Sequence, residues 1–254
     1  MNYNISILGC GWLGLPLAKE LVKSGCEVKG SCRSANKTSN LALIGVKPHQ
    51  VDISNYDAKY SGFLNSEILI IAIPSKSISD FENIISKIEN SNIKKIIFVS
   101  STSVYPFTNG VVTENMLVKE TPLSKIEELF RTNKCFQTTI LRFGGLFGDD
   151  RKPGNFIKPN KLIENPEGYV NLIHREDCIA IVKQIIATNT WNETLNACAD
   201  THPTRREFYN RQAQELKKSL PSFNEMSENT YKIINSEKLK ELLAYTFKYA
   251  DLME

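Results

Sequence analysis

A chain of 254 residues, 41% hydrophobic and 23% charged, is long enough for a developed core and excludes disordered, collagen-like and disulfide-scaffold classes. Its net charge of +3 is spread without a basic block, so nucleic-acid binding has little electrostatic support and is not expected. The start has no signal-peptide pattern, the apolar run Ile68 to Pro74 is too short for a bilayer, and six cysteines lie scattered without a C-x-x-C pair, so a soluble, cytoplasmic protein with no metal site is expected.

Ile5, Ile7 and Leu8 form a short apolar run ending in glycine, which predicts a buried strand. Leu13, Leu17, Ala18 and Leu21 follow at helical spacing, with Gly25 at the position of a C-terminal cap and a second strand over Glu27 to Cys32. This is a βαβ unit. Val46 to Ile53 predicts a brief strand, Glu67 to Ile73 an apolar one stopped by Pro74, and Ile78 to Ile88 one face of a helix. Lys95 to Ser100 reads as a central strand covered on both faces, followed by a helix beginning near Ile126 and a strand over Thr138 to Phe143. The alternation predicts an α/β, doubly wound parallel sheet of the Rossmann type over residues 1–148. Residues 149–254 read as a smaller, irregular substrate-binding part, with about 169–200 returning to pack on the first domain. Within it, Tyr169 to Ile173 is strand-like, a helix runs from about Asp177 to Ala187, and Thr204-Arg-Arg-Glu207 is a capping box ahead of a helix over Phe208 to Lys218.

Gly9-Cys10-Gly11-Trp12-Leu13-Gly14 is G-x-G-x-x-G after a strand and opening a helix, the context this motif needs to bind a dinucleotide. One glycine permits the tight turn, one lets a pyrophosphate approach the backbone, and one lets helix and strand pack closely. The amides of the helix start then meet the phosphates with their positive dipole end. Where an NAD site usually has a carboxylate for the ribose 2′-hydroxyl, the second strand ends in Cys32-Arg33-Ser34, a cationic fork beside a hydroxyl. That favours NADP(H), with NAD possible. Asp52 reads either as a residue reaching the adenine or as a turn residue. Cys10 reads as an inert filler of the loop or, at a helix N-terminus, as a thiol of lowered pKa.

Gly9 to Gly14, Val99-Ser-Ser-Thr-Ser-Val-Tyr105, Val112-Thr-Glu114, Leu141 to Gly148, Arg151-Lys-Pro153, Val170 to His174 with Asp177, and Asn196 to Glu207 occur in one order along the chain. With these pieces the chain resembles an extended, atypical member of the short-chain dehydrogenase/reductase superfamily, in the epimerase/dehydratase or nucleoside-diphosphate-sugar epimerase-like branch. The resemblance implies that Ser101 orients a substrate oxygen and that Lys125 holds the nicotinamide ribose. It also implies Trp12, Leu13, Ile73, Pro74, Ser100 and Phe143 as further cofactor contacts. The family's tyrosine, four residues before the lysine, is missing: no tyrosine has lysine at its fourth following position, and Thr121 precedes Lys125 instead. A phenol exchanges protons at neutral pH only beside a stabilising positive charge, and a threonine hydroxyl is far too weakly acidic for the role. Tyr105 or a water is the expected stand-in.

Two functions remain open. One is an NAD(P)-dependent oxidoreductase or epimerase-like enzyme, monomeric or homodimeric, acting on a small molecule such as a sugar nucleotide. The other is a catalytically silent NADP(H)-binding sensor or regulator. His174 is expected to be a core or cap histidine, Asp177 a cap residue at a helix start, and Arg151 either a substrate-contacting or a solvated arginine.

Overall fold

Strand β1 (Asn4–Leu8) buries its last four residues and leads through the glycine loop into α1 (Gly14–Lys23), which buries Leu17, Ala18 and Leu21 on one face. The computed structural model of the protein describes residues 3–34, 38–158 and 161–254. Helix α1 closes as the sequence predicts: the Gly25 amide donates to the Val22 carbonyl at 2.9 Å and the Cys26 amide to the Leu21 carbonyl at 3.1 Å, a Schellman pair. Next come β2 (Glu27–Cys32), α2 (Thr38–Ala42), β3 (Lys47–Gln50), α3 (Ser61–Leu64) and the wholly buried β4 (Ile68–Ile71). Helix α4 (Ile78–Glu89) is capped by the Ser77 hydroxyl, which accepts from the Asp80 amide. After β5 (Lys95–Ser101) and β6 (Val111–Val112) come α5 (Pro122–Thr132), β7 (Gln137–Phe143), β8 (Gly145–Phe147) and β9 (Leu172–His174). The chain continues with α6 (Arg175–Thr188), β10 (Thr194–Ala197), α7 (Arg205–Glu215), β11 (Ile233–Ile234) and α8 (Glu237–Leu243).

Among the described residues the main sheet has seven strands in the order β10-β7-β5-β4-β1-β2-β3, a parallel, doubly wound α/β arrangement as expected. Strand order reverses between β1 and β4, and the carboxyl ends of the strands at such a switch point are the general place for ligands in these sheets. Two small sheets, β6 with β11 and β8 with β9, complete the strands.

By internal contacts the chain forms two compact units, residues 1–100, 120–141 and 179–194 in the first and 101–119, 142–178 and 195–254 in the second. Segment 179–194 thus belongs to the first unit and segment 101–119 to the second. The first unit's core joins Leu69, Ile71, Phe81, Ile84, Phe98 and Phe130, with the Phe98 and Phe130 rings stacked at 4.9 Å. Each such buried side chain contributes about 1.5–3 kcal/mol. The second unit has a smaller cluster of Val170, Ala199, Phe208 and Leu252. Thr204 caps α7 in a capping box with Glu207, as its spacing predicts. The strand expected over Tyr169 to Ile173 lies later, at Leu172–His174, because its partner β8 pairs Gly145 with Leu172 and Phe147 with His174.

Candidate dinucleotide-binding site

The three glycines of the loop do three different things. Gly9 has φ +103°, and a Cβ on it would lie 2.5 Å from Ile73 Cγ2 and 2.7 Å from the Ala72 carbonyl oxygen, so the turn folds directly against the end of β4. A Cβ on Gly14 would lie 2.1 Å from the Gly9 carbonyl oxygen, which fixes the spacing between β1 and α1. A Cβ on Gly11 would meet nothing within 4 Å, so its exposed face is open to a ligand. Leu13, at the helix N-cap, offers no side-chain cap, and the first turn of α1 carries no acidic residue to compete with an anion. Ser31 ties the loop to β2: its hydroxyl accepts from the Gly9 amide at 3.1 Å and its carbonyl from the Cys10 amide at 2.8 Å. These features fit a dinucleotide's pyrophosphate.

Cys10 is buried, and burial, with the neighbouring Cys32 thiol, pushes its thiol up to about 12. The lowered pKa considered for a helix N-terminus is therefore corrected, because desolvation outweighs the backbone hydrogen bond with Ser31 that favours the thiolate. Beyond β2, Arg33 and Ser34 are exposed, and the Arg33 carbonyl accepts from the Gln50 side chain at 2.9 Å. Asp52 accepts from the Ser54 hydroxyl at 2.8 Å and amide at 3.1 Å, which holds its carboxyl below the usual range, with Arg33 as a smaller influence. Ile73 is half-buried and Pro74 exposed.

The region after β5 is built differently. Ser100 is buried and donates to the buried carboxylate of Glu127 on α5, a partner that sequence reasoning missed. The Ser101 hydroxyl accepts from the Ser103 amide at 3.1 Å and opens a single 3₁₀ turn, Thr102–Val104. Tyr105 follows with no exposed surface, and its hydroxyl donates to Asn196 Oδ1 at 2.8 Å while accepting from Arg142 Nη1 at 2.7 Å. Burial pushes this phenol up, against the smaller pull of Arg142. The expectation that Tyr105 relays a proton is corrected: the residue is sealed in a structural network. Glu114 extends that network by accepting from the Asn196 amide at 2.7 Å.

Thr121, which the resemblance set against the family's tyrosine, is the N-cap of α5. Its hydroxyl accepts from the Ser124 amide at 3.1 Å, the Ser124 hydroxyl accepts in return from the Thr121 amide at 2.9 Å, and Pro122 occupies the first turn. Thr-Pro ahead of an apolar-periodic segment is an N-terminus signature, so this role was legible. Lys125 is exposed in the first turns of the same helix.

Comparison with known proteins decides the class of this site. Residues 9–188 match the family model described as NAD(P)H-binding. The chain belongs to the NAD(P)H-binding family. Protein YeeZ of Escherichia coli K12 is 28% identical over 97% of this chain and 96% of its own. Among solved structures, one from Methylobacillus flagellatus assigned as an NAD-dependent epimerase/dehydratase superposes with a TM-score of 0.82 at 23% identity, covering 98% of this chain and 94% of that one. The UDP-glucuronic acid 4-epimerase of Bacillus cereus, in complex with NAD, superposes at 0.80 with 19% identity, covering 98% and 93%. The fold is thus that of the epimerase/dehydratase-like proteins, in agreement with the resemblance carried by the motifs.

Other residues of this family member have structural surroundings. Phe143 is buried at the end of β7. Arg151 is exposed and lies 5.8 Å from the Phe156 ring. His174 is buried, its Nδ1 accepts from the Glu176 amide at 3.3 Å, and burial pushes its pKa down, as suits a core and cap histidine. Asp177 departs from expectation: it is fully buried within α6 and accepts from the Tyr245 hydroxyl at 2.7 Å and the amides of Lys248 at 2.7 Å and Tyr249 at 3.1 Å. It is a clamp for the C-terminal segment rather than a helix cap. Among the described residues no His/Cys/Asp/Glu group is arranged to hold a metal ion, and no helix is long and apolar enough to cross a membrane.

Proposed function

We propose that the protein is an NADP(H)-dependent oxidoreductase or epimerase-like enzyme acting on a sugar nucleotide or a similar polar carbonyl compound. The observation that carries the cofactor reading is the open Gly11 face together with an end of β2 that offers Arg33 and Ser34 and no carboxylate. A guanidinium beside a hydroxyl matches a 2′-phosphate, whereas a ribose 2′-hydroxyl is usually held by a carboxylate. Trp12, Leu13, Asp52, Ile73, Pro74, Ser100 and Phe143 complete the proposed contacts, and Lys125 holds the nicotinamide ribose. When bound, a nicotinamide cofactor supplies or accepts a hydride. Ser101 contributes the orienting group: its oxygen accepts from Ser103, which leaves its proton for a substrate oxygen. With Tyr105 sealed and Thr121 capping α5, proton exchange at that oxygen falls to water. The relatives solved with NAD and with UDP-glucuronic acid support the substrate class, and the free cysteines suit a reducing, cytoplasmic setting.

Calorimetry tests the cofactor reading. Arg33→Ala is expected to weaken NADPH about tenfold or more and to leave NADH unchanged; equal losses for both overturn the NADP preference. Turnover with a panel of sugar nucleotides and small ketones, falling sharply in Ser101→Ala, tests the enzyme.

A second reading, a silent NADP(H)-responsive regulator, is favoured by the engagement of the Thr121 hydroxyl in a helix cap. It predicts NADPH binding without turnover on any panel member, and association with a protein partner that changes when NADPH is added.

A further inference from the structure

Lys232 stands immediately before β11 and is held there from two sides. The Asn171 side chain donates to the Lys232 carbonyl at 2.9 Å and accepts from the Ile234 amide at 2.9 Å, while the Ile233 amide donates to the Gly110 carbonyl at 3.0 Å. Its half-buried ammonium donates to the carbonyls of Thr102 at 2.8 Å and Tyr105 at 2.9 Å, and lies 5.4 Å from the ring of the exposed Phe107. It thereby braces the 3₁₀ turn that follows Ser101, whose Thr102 carbonyl also accepts from the Tyr105 amide at 3.2 Å.

An ammonium has three donors, and the two carbonyls use two of them. Among the described residues no carboxylate is paired with Lys232, and beyond the two carbonyls the neighbour of its ammonium is the ring of Phe107. Charged side chains removed from water are ordinarily paired, and here the neighbouring lysine, Lys119, bears the same sign. The site thus presents a fixed, partly desolvated positive charge without a counterion, on the turn that carries the serine proposed to face substrate.

We infer that Lys232 is the recognition point for an anionic group of the substrate, a carboxylate or a phosphate, received beside the Ser101 turn. The inference deepens the enzyme reading and rests on it only in naming the anion a substrate group. Burial, with Lys119 adding to it, pulls the ammonium down to about 8, while the buried Cys198 thiol acts weakly in the opposite sense. Anion affinity should therefore decline as pH rises through that value, and a bound anion should move the decline upward.

The test titrates inorganic phosphate and, separately, acetate against the full chain at constant ionic strength and follows thermal stabilisation. Wild type, Lys232→Met, Lys232→Arg and Gly11→Asp are compared, with NADPH calorimetry on each. The expected result is saturable stabilisation by one of the two anions, weakened about tenfold or more in Lys232→Met, largely restored in Lys232→Arg and retained in Gly11→Asp. Which anion stabilises distinguishes phosphate from carboxylate. Stabilisation lost in Gly11→Asp and kept in Lys232→Met places the anion at the glycine loop and overturns the inference, as does an absence of saturable stabilisation by either anion in wild type. If the methionine variant fails to fold, Lys232→Gln keeps a donor for the carbonyls without the charge, and unchanged anion affinity in that variant overturns it equally. NADPH binding is expected to be unchanged in Lys232→Met, and its absence in wild type would break the cofactor reading without touching this one.

Discussion

The glycine loop and the segment from Ser100 to Lys125 resemble the same superfamily, yet they have been treated differently. In the loop each position keeps the physical property the motif asks for: a positive φ at Gly9, open space at Gly11 and backbone contact at Gly14. In the other segment the hydroxyls are engaged in building the protein, Ser100 with Glu127, Tyr105 with Asn196 and Arg142, Thr121 with Ser124. A cofactor site is defined by backbone shape, which side-chain changes leave intact. An acid/base site depends on one phenol, and the residue expected in its place, Thr121, is a helix cap.

The largest expected effect separates two glycines within the loop. Gly14→Ala forces a methyl onto the Gly9 carbonyl oxygen and is expected to destabilise by about 3 kcal/mol or more. Gly11→Ala, facing open space, should stay within about 0.5 kcal/mol in urea denaturation while weakening NADPH. Equal stability losses would break the division of labour described for the loop. Next comes Tyr105→Phe, which leaves a guanidinium N–H and an amide oxygen unpaired. A loss of about 1–3 kcal/mol with NADPH affinity unchanged is expected, and a change of turnover without loss of stability would return the phenol to the chemistry. Thr121→Val should cost about 1 kcal/mol through the lost cap and should leave turnover as in the parent.

The smallest effect is a pH dependence that lies outside both regions. All three histidines, His49, His174 and His202, have pKa values lowered chiefly by burial. The unfolded chain then binds protons that the folded chain refuses, so stability is fully present above about 6.5 and falls as pH drops through that value towards the folded pKa values. Denaturation midpoints at pH 7.5 and 5.5 measure it, and a higher midpoint at 5.5 would contradict the sign.

Period and punctuation made the first half of the fold legible. The βαβ unit, the Schellman closure of α1 and the contact of Gly14 with Gly9 follow from residues within about thirty positions of one another. Thr121 was legible as a cap from its Pro122 neighbour. What sequence could not supply were partnerships across long separations. Tyr105 meets Asn196, Ser100 meets Glu127 and Asp177 meets Tyr245, and no local pattern announces any of them. Lys232 was equally silent, because its surroundings come from the turn at Thr102 to Tyr105 and from Asn171.

The Asp177 clamp gives the second unit a timetable. During synthesis the carboxylate emerges well before Tyr245, Lys248 and Tyr249, the residues that will neutralise its hydrogen-bonding demand. At about 5–20 residues per second the interval is several seconds, in which the first unit, complete by residue 194, can already assemble. Until residues 245–249 are made, that carboxylate depends on water for the hydrogen bonds they supply.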